Sequence, residues 1–213
     1  MRQTKEEMKK FVDELFTLYF TEPIELYAPR QTYNFVINGK SGSGKDTFIE
    51  CVNMFTPVNN ISTVDIIKDM AKHVGLEENR DFLKKLKEMV YYYTNYIDHD
   101  IQNRIKPYHL NFIHVREEKF FRKSPYTYMI KVLIENPNIT GKEFANLQDF
   151  EFNRHKYTHI IFNDKLENLP YKALEFVKIY CNKVGYQFEH NNTTYYYKKF
   201  KDLFKGTEFE NKE

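Results

Sequence analysis

Apolar positions along the chain follow two rhythms. Over residues 4–20, Met8, Phe11, Val12, Leu15, Phe16 and Tyr19 recur at helical spacing with Lys and Glu between them. Short apolar runs of strand length then appear at 33–38, 111–115, 128–134 and 158–162, and 60–65 reads as the end of a further strand. Helical patterns separate most of them. Residues 48–55 place Phe48, Val52 and Phe55 on one side. The next helix buries Ile67, Met70, Ala71 and Val74 and stops at Gly75. A longer one over 78–97 carries Phe82, Leu83, Leu86, Met89, Val90 and Tyr93 at core spacing, and a last one runs from about 170 to 183, stopped at Gly185. Strands alternating with helices predict an α/β fold with a mainly parallel five-stranded sheet in a three-layer sandwich.

The same pattern divides the chain. Residues 1–30 read as an N-terminal helical extension, whose apolar stripe is expected to cover a core face, with Pro23 and Pro29 bracketing the connector that follows. Residues 31–185 form the main domain, and 186–213 a Tyr/Lys-rich tail. The tail's run 195–201 interleaves Tyr, Phe and Lys, as a single-stranded nucleic-acid track does. A segment this short is expected instead to dock its aromatics and leave its lysines in solvent. The polar, irregular segment 136–157 is either a lid or a plain loop.

Composition narrows the class. Apolar residues make up 41% and charged residues 29%, so a packed core is expected. That core is aromatic, since the chain has 19 Phe and 17 Tyr but no Trp. A net charge of +2 is too small to argue for nucleic acid or a membrane surface. Cys51 and Cys181 each fall on the apolar side of a predicted helix, which favours buried free thiols over a disulfide. No apolar run reaches the ~18 residues of a membrane span, and the first residues are too polar for a signal peptide. The expectation is a cytoplasmic chain acting on a small molecule, away from membranes and nucleic acid, with a homodimer left open.

Chemistry concentrates in Gly39-Lys40-Ser41-Gly42-Ser43-Gly44-Lys45-Asp46-Thr47, which holds three of the seven glycines. Strand, glycine loop, helix is the context of a phosphate-binding P-loop. The glycines let the backbone wrap phosphates, the helix N-terminus adds partial positive charge, and Lys45 adds a full one. Asp46 stands where Ser or Thr is usual, and Thr47 follows. A carboxylate there is tolerable beside a triphosphate when Mg²⁺ or its water lies between, so Asp46 and Thr47 are the candidate metal-facing residues.

Ligands of such sheets sit at the C-terminal strand edge. Asp65 at the end of the second strand suits an acceptor hydroxyl or a metal-bound water, but Ser62-x-x-Asp65 also resembles a capping box. Lys68, one turn on, and Arg116, at the end of the third strand, suit a phosphate. Arg80 and Lys87 on the long helix are weaker candidates, because helix charges are usually a solvated face. No magnesium-binding acid follows the third strand, and Asp164 lies on the last one. The histidines show no metal-ligand spacing, and no G-x-S-x-G element occurs.

The loop Ser41-Gly42-Ser43-Gly44-Lys45-Asp46-Thr47 resembles that of phage and bacterial deoxynucleoside monophosphate kinases, which are adenylate-kinase-like P-loop proteins. The resemblance continues through 62–65 with Lys68, through 80–87 and through 112–117, and spans about residues 33–165. It implies a P-loop NTPase fold of the monophosphate-kinase type, which transfers the γ-phosphate of ATP to a (deoxy)nucleoside monophosphate with Mg²⁺ bridging. Lys45 would stabilise the transferring group, Thr47 and Asp46 would face the metal, and Asp65, Lys68, Arg80 and Arg116 would line the acceptor side. Such kinases carry paired arginines after the fourth strand or in the lid, whereas segment 136–157 here offers only Arg154. That departure keeps two alternatives: a P-loop kinase of another small phosphorylated acceptor, and a nucleotide-binding regulatory protein with little turnover.

Overall fold

The computed structural model describes residues 5–19, 24–115, 126–139 and 152–187. In chain order its helices and strands are α1 (Lys5–Tyr19), β1 (Ile24–Pro29), β2 (Tyr33–Asn38), α2 (Lys45–Asn53), β3 (Val58–Ser62), α3 (Thr63–Lys72), α4 (Arg80–Tyr93), α5 (Tyr96–Arg104), β4 (Leu110–His114), β5 (Ile130–Glu135), β6 (His159–Phe162), α6 (Leu169–Tyr180) and β7 (Cys181–Gln187). Five strands form one sheet in the order β3-β4-β2-β5-β6, and every neighbouring pair is parallel. All five therefore end on the same edge, with β2 in the middle.

The two-residue period of β2 builds both cores. Phe35 and Ile37 enter a cluster with Val12 of α1, Phe48 and Val52 of α2, and Phe176 and Val177 of α6. Val36 points the other way, into a cluster with Ile66 and Ile67 of α3, Val90 of α4 and Ile101 of α5. Both faces are covered over the inner strands, which explains why β2, β4 and β5 read as apolar runs. Aromatics dominate the first cluster: the Phe35 ring centroid lies 5.1 Å from those of Phe112 and Phe176, and Phe48 lies 5.5 Å from Phe176. The helix that follows the glycine loop is thus seated on a rigid floor. Cys51 and Cys181 are both buried and free.

Some elements differ from the sequence pattern. The expected helix over 78–97 breaks at Thr94, whose Oγ1 donates to the Val90 carbonyl at 2.8 Å and accepts from the Tyr96 N–H at 3.2 Å. A side chain that satisfies these backbone groups ends one helix and starts the next. Beyond the break, Ile97 and Ile101 are buried, whereas Met89 and Tyr93 face solvent. The last helix ends at Tyr180 rather than near 183, and the chain continues extended. It pairs antiparallel with β1, which takes the place of a plain connector. The Tyr27 N–H donates to the Phe55 carbonyl and the Arg30 N–H to the Tyr180 carbonyl, tying this two-stranded ribbon to the ends of α2 and α6.

Among the described residues no helix is long and apolar enough to cross a membrane. The tail from 188 onward and segment 140–151 lie outside the described residues.

Candidate functional site

The loop between β2 and α2 sits at the centre of the C-terminal sheet edge. Asn38, buried at the end of β2, accepts the Gly39 N–H on its Oδ1 at 2.9 Å. Gly39, Gly42 and Gly44 take φ values of 143°, 78° and 90°, conformations that L side chains rarely adopt. A Cβ on Gly39 would lie 2.3 Å from the Ile134 carbonyl oxygen of β5 and 2.6 Å from Ser43 Oγ. The loop therefore lies tight against the neighbouring strand. The Ser43 N–H closes a turn on the Lys40 carbonyl at 3.1 Å. Its hydroxyl is buried without a hydrogen-bond partner among the described residues.

Lys45 opens α2 and folds back over the loop. Its Nζ donates to the carbonyls of Gly39 and Lys40, both at 2.8 Å. Asp46 leaves its side chain 59% exposed, with Oδ1 3.7 Å from Nε2 of His114 at the end of β4. Thr47 is buried, and its hydroxyl donates to Met8 Sδ of α1 at 3.2 Å. The N-terminal helix thus covers a core face, as its stripe predicts, and also touches the helix that follows the glycine loop.

Lys40, Ser41 and Gly42 complete the rim. Ser41 and Gly42 are exposed and Lys40 is half-buried. On the far side, Asn163 follows β6 and is buried; its Nδ2 donates to the Ser43 carbonyl at 3.0 Å. Asn38, His114 and Asn163 escaped the sequence reading as site residues. A signal was present, since each closes or follows an apolar strand run on a polar residue at the sheet edge.

The acceptor-side candidates are more dispersed. Asp65 stands in the first turn of α3, where its N–H donates to Ser62 Oγ at 3.3 Å and its side chain is exposed. The cap is therefore real, and it leaves the carboxylate available. Lys68 pairs with Glu78 at 2.8 Å, and this hydrogen bond holds the Glu78 carboxyl below its ordinary range. Arg80 is the first residue of α4, after Asn79, whose Oδ1 accepts the Phe82 N–H at 3.0 Å. The Lys87 ammonium lies 5.7 Å from the centroid of the Tyr91 ring one turn along α4. Arg116 lies outside the described residues, as does the side chain of Arg80.

Beside the loop, β5 ends in Glu135. Both of its oxygens are taken by Arg154, whose Nε and Nη2 donate at 3.0 and 2.6 Å while the guanidinium carbon lies 5.4 Å from the Phe162 ring centroid. The carboxylate raises the affinity of that guanidinium for its proton. Asp164 pairs with Lys172 at 2.7 Å, which lowers its pKa.

Among the described residues no three His, Cys, Asp or Glu side chains gather to hold a metal by themselves. Mg²⁺ at a nucleotide asks less of the protein, because one or two carboxylates suffice when phosphates and water supply the rest. Asp46, exposed in the first turn of α2, fits that requirement. Thr47 would have to exchange its Met8 bond to join it.

No protein-family model matches the chain, and no curated protein matches it. Among solved structures it is similar to the crystal structure of TT1252 from Thermus thermophilus, at 16% identity and a TM-score of 0.39, over 70% of this chain and 97% of that one.

Proposed function

We propose that the chain binds ATP through residues 39–47 and transfers its γ-phosphate to a (deoxy)nucleoside monophosphate, giving the diphosphate. The observation that carries this reading is the loop itself. Three glycines in left-handed backbone conformations bend it between the central parallel strand and a helix N-terminus, with the Lys45 ammonium held over the loop's own carbonyls. Carbonyl oxygens are weak substitutes for phosphate, so an entering phosphate would draw Nζ away from Gly39 and Lys40. In this reading the fold is that of a P-loop NTPase, with β2 as the loop-bearing strand at the switch point of the sheet.

The protein's own work is positioning and charge neutralisation. Lys45 follows the β- and γ-phosphates. Asp46 would face Mg²⁺ or its water shell, with His114 beside it, and Thr47 would add a hydroxyl on the metal side once released from Met8. Mg²⁺, when bound, neutralises charge on the phosphate oxygens. On the acceptor side, the attacking group is an oxygen of the acceptor's own phosphate, which Lys68, Arg80, Lys87 and Arg116 hold, while Asp65 holds a hydroxyl of the acceptor or a metal-bound water. A coupled assay over a panel of nucleoside and deoxynucleoside monophosphates tests the reading. Diphosphate formation on at least one supports it, whereas ATP binding without turnover on all of them defeats the transfer step.

One observation favours a second reading, nucleotide binding with little turnover. Arg154 is the sole arginine in segment 136–157, and Glu135 holds it by two hydrogen bonds. In this pairing the Arg154 charge is offset by Glu135, and an arginine missing from the transition state can cost roughly three to five orders of magnitude.

A further inference from the structure

Asn163 is built into the loop from the far strand. It is 5% exposed, its Nδ2 donates to the Ser43 carbonyl at 3.0 Å, and its backbone N–H donates to the Glu135 carbonyl at 2.7 Å. A carbonyl can only accept, so the amide must present its NH₂ to Ser43. The peptides around it are held as well. Asn138 Nδ2 donates to the Asp164 carbonyl at 3.0 Å, and Lys172 donates to the Phe162 carbonyl and to the Asp164 carboxylate.

Gly44 is the complementary half of this contact. A Cβ there would lie 2.3 Å from Asn163 Nδ2, so the absence of a side chain at 44 makes room for the amide. A peptide is planar and trans, with its C=O and N–H pointing in opposite directions. Fixing the Ser43 carbonyl toward Asn163 therefore turns the Gly44 N–H away from β6.

We propose that Asn163 is a positioning residue. Through the Ser43 carbonyl it sets the direction of the 43–44 peptide, so that the Gly44 N–H is offered to the phosphate chain of a bound nucleotide. Asn163 itself touches no phosphate. The inference rests on the phosphate-loop reading above and adds to it the group that preorganises the loop.

Calorimetry on the full chain tests it, with ATP and inorganic tripolyphosphate as separate ligands and thermal unfolding measured in parallel. Asn163→Ala removes the donor, Asn163→Asp sets a carboxylate against a carbonyl, and Asn163→Ser keeps a shorter donor. The expected order of affinity is wild type, Ser, Ala, Asp, with roughly a tenfold loss for Ala. Both ligands should fall by the same factor, because the loss lies in the phosphate cradle, and the order should follow donor capacity rather than melting temperature. Unchanged tripolyphosphate affinity in all three variants, with a wild type that binds it, overturns the role of Asn163 and leaves the loop reading intact. A loss for ATP alone also overturns it, by moving Asn163 to the nucleoside end. A wild type that binds neither ligand overturns the loop reading, and this inference with it.

Discussion

The glycine loop and the α3–α4 corner both extend from the C-terminal edge of one sheet, yet they are made of different contacts. The loop is held by buried groups: Asn38 on Gly39, Asn163 on Ser43, the Ile134 carbonyl against Gly39, and the aromatic floor beneath α2. The corner packs through Ile66, Ile67 and Val90 underneath, but its charged contacts are exposed. Lys68 meets Glu78, which is 83% exposed, and Arg104 meets Asp69, which is 61% exposed. Buried hydrogen bonds are costly to leave unmade, so the loop has one shape. Exposed ion pairs contribute little and exchange readily with solvent or with a ligand's charge. The difference is what a transfer site needs if one substrate is always the same and the other is admitted by rearrangement. On the proposed transfer reading, a preformed cradle suits the donor phosphates, and loosely held cations suit an acceptor.

The largest effect should come from breaking the preformed side. Gly44→Ala places a Cβ against Asn163 Nδ2 and forces an L side chain to φ 90°. It is expected to cost about 3 kcal/mol in urea unfolding and to remove ATP binding. Gly75, at φ 68°, has nothing within 4 Å of its added Cβ, so Gly75→Ala should cost only about 1 kcal/mol and leave binding alone. Equal costs at the two positions would mean that the loop is no tighter than an ordinary helix end.

Next in size, Lys45→Ala should weaken ATP binding roughly 100-fold by calorimetry. Stability should change little, because the bonds it loses are to carbonyls of a half-buried loop. Retained affinity would show that the phosphate site lies elsewhere.

The smallest effect belongs to the corner. Lys68→Ala should leave the unfolding midpoint in urea nearly unchanged, while weakening acceptor binding measured with a non-hydrolysable ATP analogue present. The Glu78 carboxyl reports the pair directly. Its pKa is lowered chiefly by the Lys68 hydrogen bond, so the interaction is complete above the ordinary carboxyl value of 4.5 and is lost as pH falls through the depressed one. An NMR titration should place the Glu78 midpoint below 4.5 in the wild type and back near 4.5 in Lys68→Ala. A midpoint unmoved by the substitution would dissolve the pair, and with it the contrast between the two regions.

Much of the frame was legible in advance, for physical reasons that can be traced residue by residue. Strands such as β2, β4 and β5 lie in the core and write themselves as apolar runs, so their predicted bounds hold to within two residues, whereas the segment read at 60–65 pairs over 58–62 and its last three residues open α3. The glycine loop was legible because positive φ leaves few other choices at 39, 42 and 44. The helix break at Thr94 was not, because Thr is an ordinary helix residue until its hydroxyl takes the Val90 carbonyl. The β1–β7 ribbon was not, because its register joins residues more than 150 apart in sequence. Among site residues, Lys45, Asp46 and Thr47 were legible from the motif, while Met8 and Asn163 reach the loop only through tertiary contacts.

By itself the amino-acid sequence determined the alternation of elements, the parallel class of the sheet and the position of one glycine-rich loop. These depend on local period and on backbone conformations that only glycine accepts easily. Tertiary structure alone decided which polar strand ends meet the loop, that the Thr47 hydroxyl faces Met8, and that Lys68 and Arg154 have acidic partners. Those outcomes depend on strand order and packing between distant segments, which local pattern does not encode.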